Sequence, residues 1–160
     1  MSGFSLTNTD VILRISVAFL SGLLIGLERQ LNGRTAGIHT CVLVSIGSCL
    51  FIFVGYGLGE INSPSRIAAQ IVTGIGFIGS GVIIKDNEGV RGINSAGTVW
   101  CVGSVGALCG CGFWLTGLCS SILILVCNYI LRDAHLKMCL QVLNLYSSKE
   151  KQHTDASDSV

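Results

Sequence analysis

Long runs of uncharged, mostly apolar residues dominate the chain. Such runs cover residues 15–27, 35–59, 67–84 and 92–131, and charged residues lie in the short segments between them. A transmembrane α-helix needs about 17 to 25 consecutive, mainly apolar residues. The first three runs each predict one helix, and the last run is long enough for two. The pattern therefore predicts an all-α bundle of five transmembrane helices.

Local start and stop signals give approximate bounds for these helices: 11–27, 38–57, 64–84, 95–109 and 113–131. Thr9 and Asp10 can cap the first helix, and the proline of Ser63-Pro64 suits the first turn of the third. Gly110-Cys111-Gly112 divides the last apolar run. The segment 85–92 holds turn formers and charges and is predicted to be a water-exposed loop.

Three segments follow from these bounds. Residues 1–10 are predicted to be a short periplasmic N-terminus, 11–131 a transmembrane domain, and 132–160 a cytoplasmic tail that is disordered after about residue 147. No basic segment precedes the first apolar run and no small-residue cleavage site follows it. We therefore expect a retained first helix and no removable signal peptide.

The basic residues predict the orientation of the five helices. With five spans, eight basic residues fall on one side of the membrane: Arg29, Arg34, Lys85, Arg91, Arg132, Lys137, Lys149 and Lys151. Only Arg66 and Arg14 fall on the other side. Because basic residues concentrate in cytoplasmic loops, the N-terminus is predicted outside and the C-terminus in the cytoplasm.

Composition supports a membrane protein and excludes other classes. Hydrophobic residues make up 50% and charged residues 12% of the chain, with a mean hydropathy of +0.68, whereas soluble domains carry about 25% charged residues. A net charge of +1 without a basic patch argues against nucleic-acid binding. Most of the eight cysteines lie in apolar runs and are interpreted as small fillers, with redox chemistry at Cys109 and Cys111 the less favoured alternative.

Residues 74–79 match the G-x-G-x-x-G pattern of dinucleotide-binding proteins. That motif works at a strand-to-helix turn, and here it lies in the middle of an apolar run. Small residues inside membrane helices allow two helices to pack closely. We therefore predict a set of helix-packing glycines: Gly22, Gly26, Gly74, Gly76, Gly79 and Gly81.

Polar residues form one stripe on each of two predicted helices. The stripe on the third helix is Arg66, Gln70, Thr73 and Ser80. The stripe on the first helix is Arg14, Ala18, Ser21 and Glu28. Because polar groups are costly against lipid, both stripes are predicted to face the bundle interior. They form either hydrogen bonds between helices or a polar cleft for an ion.

Charged groups that could carry chemistry are few. Arg66 near a helix N-terminus opposes the helix dipole, which predicts a buried partner, with Glu60 the nearest carboxylate in sequence. Between the first and last spans the only acids are Glu28, Glu60, Asp86 and Glu88, too few to favour a magnesium pore built by this chain alone. No nucleophile and base form a recognisable unit, so we expect no enzyme, no cofactor and no metal site.

Four segments together resemble the MgtC/SapB family of bacterial inner-membrane proteins: residues 26–30, 34–40, 65–81 and 90–100. The resemblance covers about residues 15–130. His39 stands where the family usually has an arginine, and Asn94-Ser95 where it usually has a Thr-Thr or similar pair. The candidate functional residues are Glu28, Arg29, Arg34, His39, Arg66, Gln70, Thr73, Arg91, Asn94 and Thr98.

The resemblance implies a multi-pass protein of the bacterial inner membrane that supports growth under magnesium limitation or inside host cells. We expect it to act by modulating other membrane machinery, and the alternative is a small transporter or channel subunit for magnesium or another ion. The expected partners are the lipid bilayer and other inner-membrane proteins, with a homo-oligomer as an open alternative. Longer relatives add a regulatory domain, for which the predicted tail is too short.

Overall fold

The computed structural model describes residues 8–58, 63–87 and 89–131. It contains five helices: α1 (Asn8–Leu31), α2 (Ile38–Gly57), α3 (Ser63–Val82), α4 (Ile93–Gly110) and α5 (Trp114–Leu131). These bounds agree with the predicted helices to within about four residues. The predictions for residues 1–7, for Glu60 and for the tail 132–160 lie outside the described residues.

The predicted loop between the third and fourth helices is exposed, but it is not irregular. Strands β1 (Ile84–Asp86) and β2 (Gly89–Arg91) pair antiparallel, with Ile84 opposite Arg91. Gly92 follows with φ 93°, and a side chain there would overlap the carbonyl oxygen of Val82. Only glycine fits this corner, which leads the hairpin directly into α4.

Three of the helices, α1, α2 and α5, are long and apolar enough to cross a membrane by length and composition. Helix α1 extends further than predicted, because Glu28 and Arg29 continue it and Arg29 suits the negative end of the helix dipole. The chain divides into two units, residues 1–125 and 126–160. Of the second unit, residues 126–131 are described, and they are the end of α5.

Helices α2 and α4 form the centre of the first unit. Helix α1 packs against both of them, and α3 also packs against both. One buried cluster joins Val17, Ala18, Cys49 and Cys109, and partly buried Leu118 of α5 packs against it. Cysteines 41, 49 and 109 are fully buried and free, as expected for apolar fillers.

Glycines on α1 and glycines on α4 both lie against the backbone of α2. A Cβ atom added to Gly22 would lie 2.8 Å from the Cys41 carbonyl oxygen, and one added to Gly26 would lie 2.6 Å from the Cα of Ile38. On α4, a Cβ at Gly110 would lie 2.8 Å from the Cys49 carbonyl oxygen, and a Cβ at Gly106 would overlap the backbone of Ser45. Neither helix could approach α2 this closely with larger residues.

The glycines of α3 do not pack in this way. A Cβ at Gly74, Gly76 or Gly81 would meet no atom of the described chain within 4 Å, so the packing role predicted for these three glycines is wrong within one molecule. Gly79 differs, because a Cβ there would lie 3.6 Å from the Cβ of Ala96 on α4, an ordinary contact. Most of α3 therefore faces outward, and Phe77 at its centre is 82% exposed.

Candidate functional site

The C-terminal end of α1 meets the N-terminal turn of α4 through one buried cation. Arg29 is only 3% exposed, and its Nη2 donates a hydrogen bond of 2.7 Å to the Oγ of Ser95. Ser95 is equally buried. The Nε of Arg29 is buried and has no hydrogen-bond partner. Within the described chain, the guanidinium thus has a neutral acceptor and no ion pair.

The first turn of α4 adds positive character to this position. Its N-cap residue, Gly92, has no side chain to bond the free N–H groups, and the turn contains no acidic residue. The first backbone bond of the helix runs from the Ala96 N–H to the Gly92 carbonyl. The N–H groups of the three residues before Ala96 have no partner within the helix, and they carry the positive end of its dipole.

Neighbouring polar groups hold the connection between α1 and α2. Asn32 donates from Nδ2 to the Oε1 of Glu28 at 2.7 Å and to its carbonyl oxygen at 2.8 Å. The Oε1 of Gln30 accepts a bond of 3.4 Å from the N–H of Ile38, at the start of α2. Gly33 turns the chain with φ 63°. Glu28 is half-buried, and its carboxylate supports this turn through the bond from Asn32.

Other predicted residues surround this end of the bundle at the surface. Arg34, His39, Arg91 and Asn94 are exposed, and Arg91 Nε lies 3.6 Å from Asp86 Oδ2 across the hairpin. Thr98 is buried, and its hydroxyl donates to the Asn94 carbonyl oxygen at 2.9 Å. The Arg29–Ser95 bond brings the α1–α2 connection and the hairpin to the same end of the bundle.

The opposite end of α1 carries the second cation that contacts α4. Arg14 is half-buried, and its Nη1 donates to the Gly110 carbonyl oxygen at 3.3 Å. A cation there suits the negative end of the α4 dipole. Gly112, at φ 95°, leaves room for this guanidinium, because a Cβ on it would lie 3.2 Å from Arg14 Cζ. Arg14, Ala18, Ser21 and Glu28 are buried or half-buried, so the α1 stripe faces inward.

The polar stripe of α3 does not face the bundle interior, and that prediction is wrong. Arg66, Gln70, Thr73 and Ser80 are all exposed. The hydroxyls of Thr73 and Ser80 bond to the carbonyl oxygens of Ala69 and Phe77 in their own helix. Because α1 and α3 each pack against α2 and α4, their polar faces do not form the predicted cleft. Arg66 is exposed, so it is not the buried cation that was predicted, and its predicted pairing with Glu60 lies outside the described residues.

An apolar cavity of about 540 Å³ lies between α2 and α3. Leu43, Phe51 and Ile71 contribute to its walls, and Gln70 and Gly74 line it from α3. No group of three or more His, Cys, Asp or Glu side chains comes together in the described ranges. The described residues therefore offer one buried cationic site and one apolar cavity.

The role of Ser95 and the burial of Arg29 were not predicted from the sequence. The spacing of both residues from the packing glycines could have indicated them. Arg29 follows Gly22 by seven residues and Gly26 by three, so it lies on the same face of α1 as the glycines that pack on α2. Ser95 precedes Gly106 by eleven residues, which is about three helical turns on α4. The face of α1 that packs on α2 therefore ends at Arg29, and the corresponding face of α4 begins at Ser95.

Known proteins similar to this chain point to one family. The model of the MgtC family matches residues 15–137. Protein MgtC of Salmonella typhimurium is 47% identical over 123 residues, which are 77% of this chain and 53% of that protein. An uncharacterized protein of Synechocystis sp. is 46% identical over 123 residues, with the same coverage of 77% and 53%.

Protein MgtC of Brucella abortus is 45% identical over 115 residues, which are 72% of this chain and 48% of that protein. The chain thus spans about half the length of the curated relatives it matches. No solved structure matches it.

We predict opposite effects on stability for the two residues of the buried bond. Ser95→Ala removes the one acceptor that the described residues offer to a buried cation, which should lower the free energy of unfolding by about 1.5 to 3 kcal/mol. Arg29→Met removes the buried charge itself and fills a similar space, so it should leave stability unchanged or raise it. Thermal unfolding of the purified proteins in lipid nanodiscs measures both effects.

The matched control for these variants is Ser104→Ala. Ser104 is an exposed residue of α4 whose hydroxyl bonds only to the Cys101 carbonyl oxygen of the same helix among the described residues. Its replacement should change little. A loss of stability in Arg29→Met as large as that in Ser95→Ala would contradict the prediction and make Arg29 a scaffold residue.

Proposed function

Because this chain belongs to the MgtC family, we propose that it is a non-enzymatic, multi-pass protein of the bacterial inner membrane that supports growth under magnesium limitation. It does so by modulating other membrane machinery. The observation that carries this proposal is the outward-facing α3, whose polar and small residues lie on the surface of the bundle. A modulating protein needs a lateral surface that another membrane protein can contact.

The outer surface of α3 has the chemistry of a helix-docking surface. Gly74, Gly76 and Gly81 leave its backbone uncovered, and Gln70 presents an amide one turn before Gly74. In a membrane, small residues permit close helix contact and an amide gains a hydrogen bond when a partner helix covers it. The proposed occupant of this surface is a transmembrane helix of another inner-membrane protein.

Transport by this chain alone has less support. The polar faces of α1 and α3 lie apart, and the α2–α3 cavity is lined mainly by apolar side chains, to which Gln70 and Ser48 add the polar groups. Magnesium is held by oxygen ligands, usually with one or two carboxylates. None of the described residues that line the cavity carries a carboxylate.

The proposed topology has five spans, with the N-terminus outside and the C-terminus in the cytoplasm. Two contacts support it: Arg29 meets α4 at one end of α1, and Arg14 meets the other end of α4. Arg34, Lys85 and Arg91 belong to the two connections at the Arg29 end, which agrees with a cytoplasmic location for that end.

The growth prediction concerns Gly76→Leu. A leucine at this open position should fold normally, so membrane abundance should match the unmodified protein. The same side chain should block a partner helix and abolish restored growth in low magnesium. Leu123→Phe, which enlarges an exposed side chain of α5, is the control and should restore growth.

Two results would contradict this proposal. Full growth with Gly76→Leu at normal abundance would remove α3 from the partner surface. Magnesium flux in liposomes that contain only the purified protein would favour a transporter in place of a modulator.

The topology prediction uses reporter fusions. A periplasm-active phosphatase fused after Leu58, at the end of α2, should be active, and one fused after Asn87, in the hairpin, should be inactive. A fusion at Val160 should also be inactive. Activity after Asn87 would overturn both the five-span count and the cytoplasmic location of Arg29.

A further inference from the structure

The buried guanidinium of Arg29 requires compensation for its charge. Taking an isolated charge out of water is costly unless the charge is paired and hydrogen-bonded. Arg29 is 3% exposed, its Nε has no hydrogen-bond partner, and Nη2 bonds to a neutral hydroxyl. A charge of this kind is poised to accept an anion.

The acids at this end of the described chain are engaged elsewhere. The Glu28 carboxylate accepts a bond from Asn32, and Asp86 lies 3.6 Å from Arg91 across the hairpin. The charge of Glu28 acts on Arg29, but the two residues are adjacent on α1, where successive side chains leave the helix about 100° apart. Neither carboxylate forms an ion pair with Arg29.

The N-terminal turn of α4 supplies further donors at the same place. Gly92 leaves the first N–H groups of this helix, which has 18 residues, without a side-chain cap. Ser95 accepts from Arg29 through its oxygen, so its own hydroxyl hydrogen remains available to donate. Free N–H groups, a hydroxyl and a guanidinium therefore converge, and every one of them is a donor to an anion.

We infer that Arg29, Ser95 and the first turn of α4 bind a phosphate group. Helix N-termini bind phosphate through free N–H groups and the helix dipole, and arginine matches phosphate geometry with two parallel hydrogen bonds. The phosphate belongs either to the headgroup of an anionic lipid or to free inorganic phosphate. Ile93 and Asn94 in that turn are exposed.

The surrounding surface favours such a ligand. Arg34, Lys85 and Arg91 are exposed in the two connections at this end of the bundle. Basic residues beside membrane helices attract anionic headgroups, and basic recesses between helices bind them. Phosphate binding goes beyond the proposed role in growth. It is measured on the purified protein, so its test does not depend on a growth assay.

The experiment uses the full chain purified in alkyl maltoside micelles, which contain no phosphate. Its thermal unfolding midpoint is followed in one arm during titration with sodium phosphate, against sodium chloride at equal ionic strength. The other arm adds phosphatidylglycerol, against diacylglycerol with the same acyl chains. A rise with phosphatidylglycerol alone identifies a lipid headgroup, and a rise with sodium phosphate identifies the free ion.

Three variants test whether the ligand binds at this site. Arg29→Gln should raise the half-saturating ligand concentration about tenfold or more, because a charge-assisted bond is lost. Ser95→Ala keeps the guanidinium and should weaken binding by a smaller factor, which also serves if Arg29→Gln fails to fold. Arg66→Gln, at an exposed cation near the start of α3, should bind like the unmodified protein.

The inference is overturned if neither ligand raises the midpoint. It is also overturned if Arg29→Gln, or Ser95→Ala in its place, responds at the same concentrations as the unmodified protein.

Discussion

The close approach of three helix backbones determines the rest of this structure. Gly22 and Gly26 bring α1 against α2, and Gly106 and Gly110 bring α4 against it. In lipid, apolar side chains gain little by leaving one apolar environment for another, so helix association depends on tight van der Waals packing. Once α1, α2 and α4 are fixed in this way, Arg29 lies beside Ser95 and Arg14 beside Gly110.

The sequence predicted the elements well because length and charge determine them. Apolar runs of membrane length and the turn signals between them gave five helices close to those observed. The direction of each helix face was harder to predict. Lipid and protein interior both accept apolar residues, so hydrophobic periodicity does not show which side of a membrane helix is covered. The α3 stripe with Gln70 and Thr73 is predicted to face inward because polar groups are costly against lipid, and it faces outward.

The sequence predicts Arg29 as a candidate residue, but it does not predict that Arg29 is buried or that Ser95 is its partner. Arg29 was recognised as a candidate, but buried character was assigned to Arg66, because a cation at a helix N-terminus is unfavourable. The structure has that unfavourable arrangement between two helices: Arg29 of α1 contacts the N-terminal turn of α4. This arrangement exists only because α1 packs on α4, and a single sequence does not show which helices are neighbours. A costly buried charge that does not serve packing is typical of a binding site.

Glycine contacts with α2 hold the bundle together. Two glycines of α4 test it most directly, since a Cβ at Gly106 would overlap the Ser45 backbone whereas a Cβ at Gly97 would meet no described atom within 4 Å. Thermal unfolding in nanodiscs should show a large loss of stability for Gly106→Ala. Gly97→Ala should be as stable as the unmodified protein or slightly more so, because alanine favours a helix by about 1 kcal/mol over glycine. Equal stability of the two variants would contradict the account.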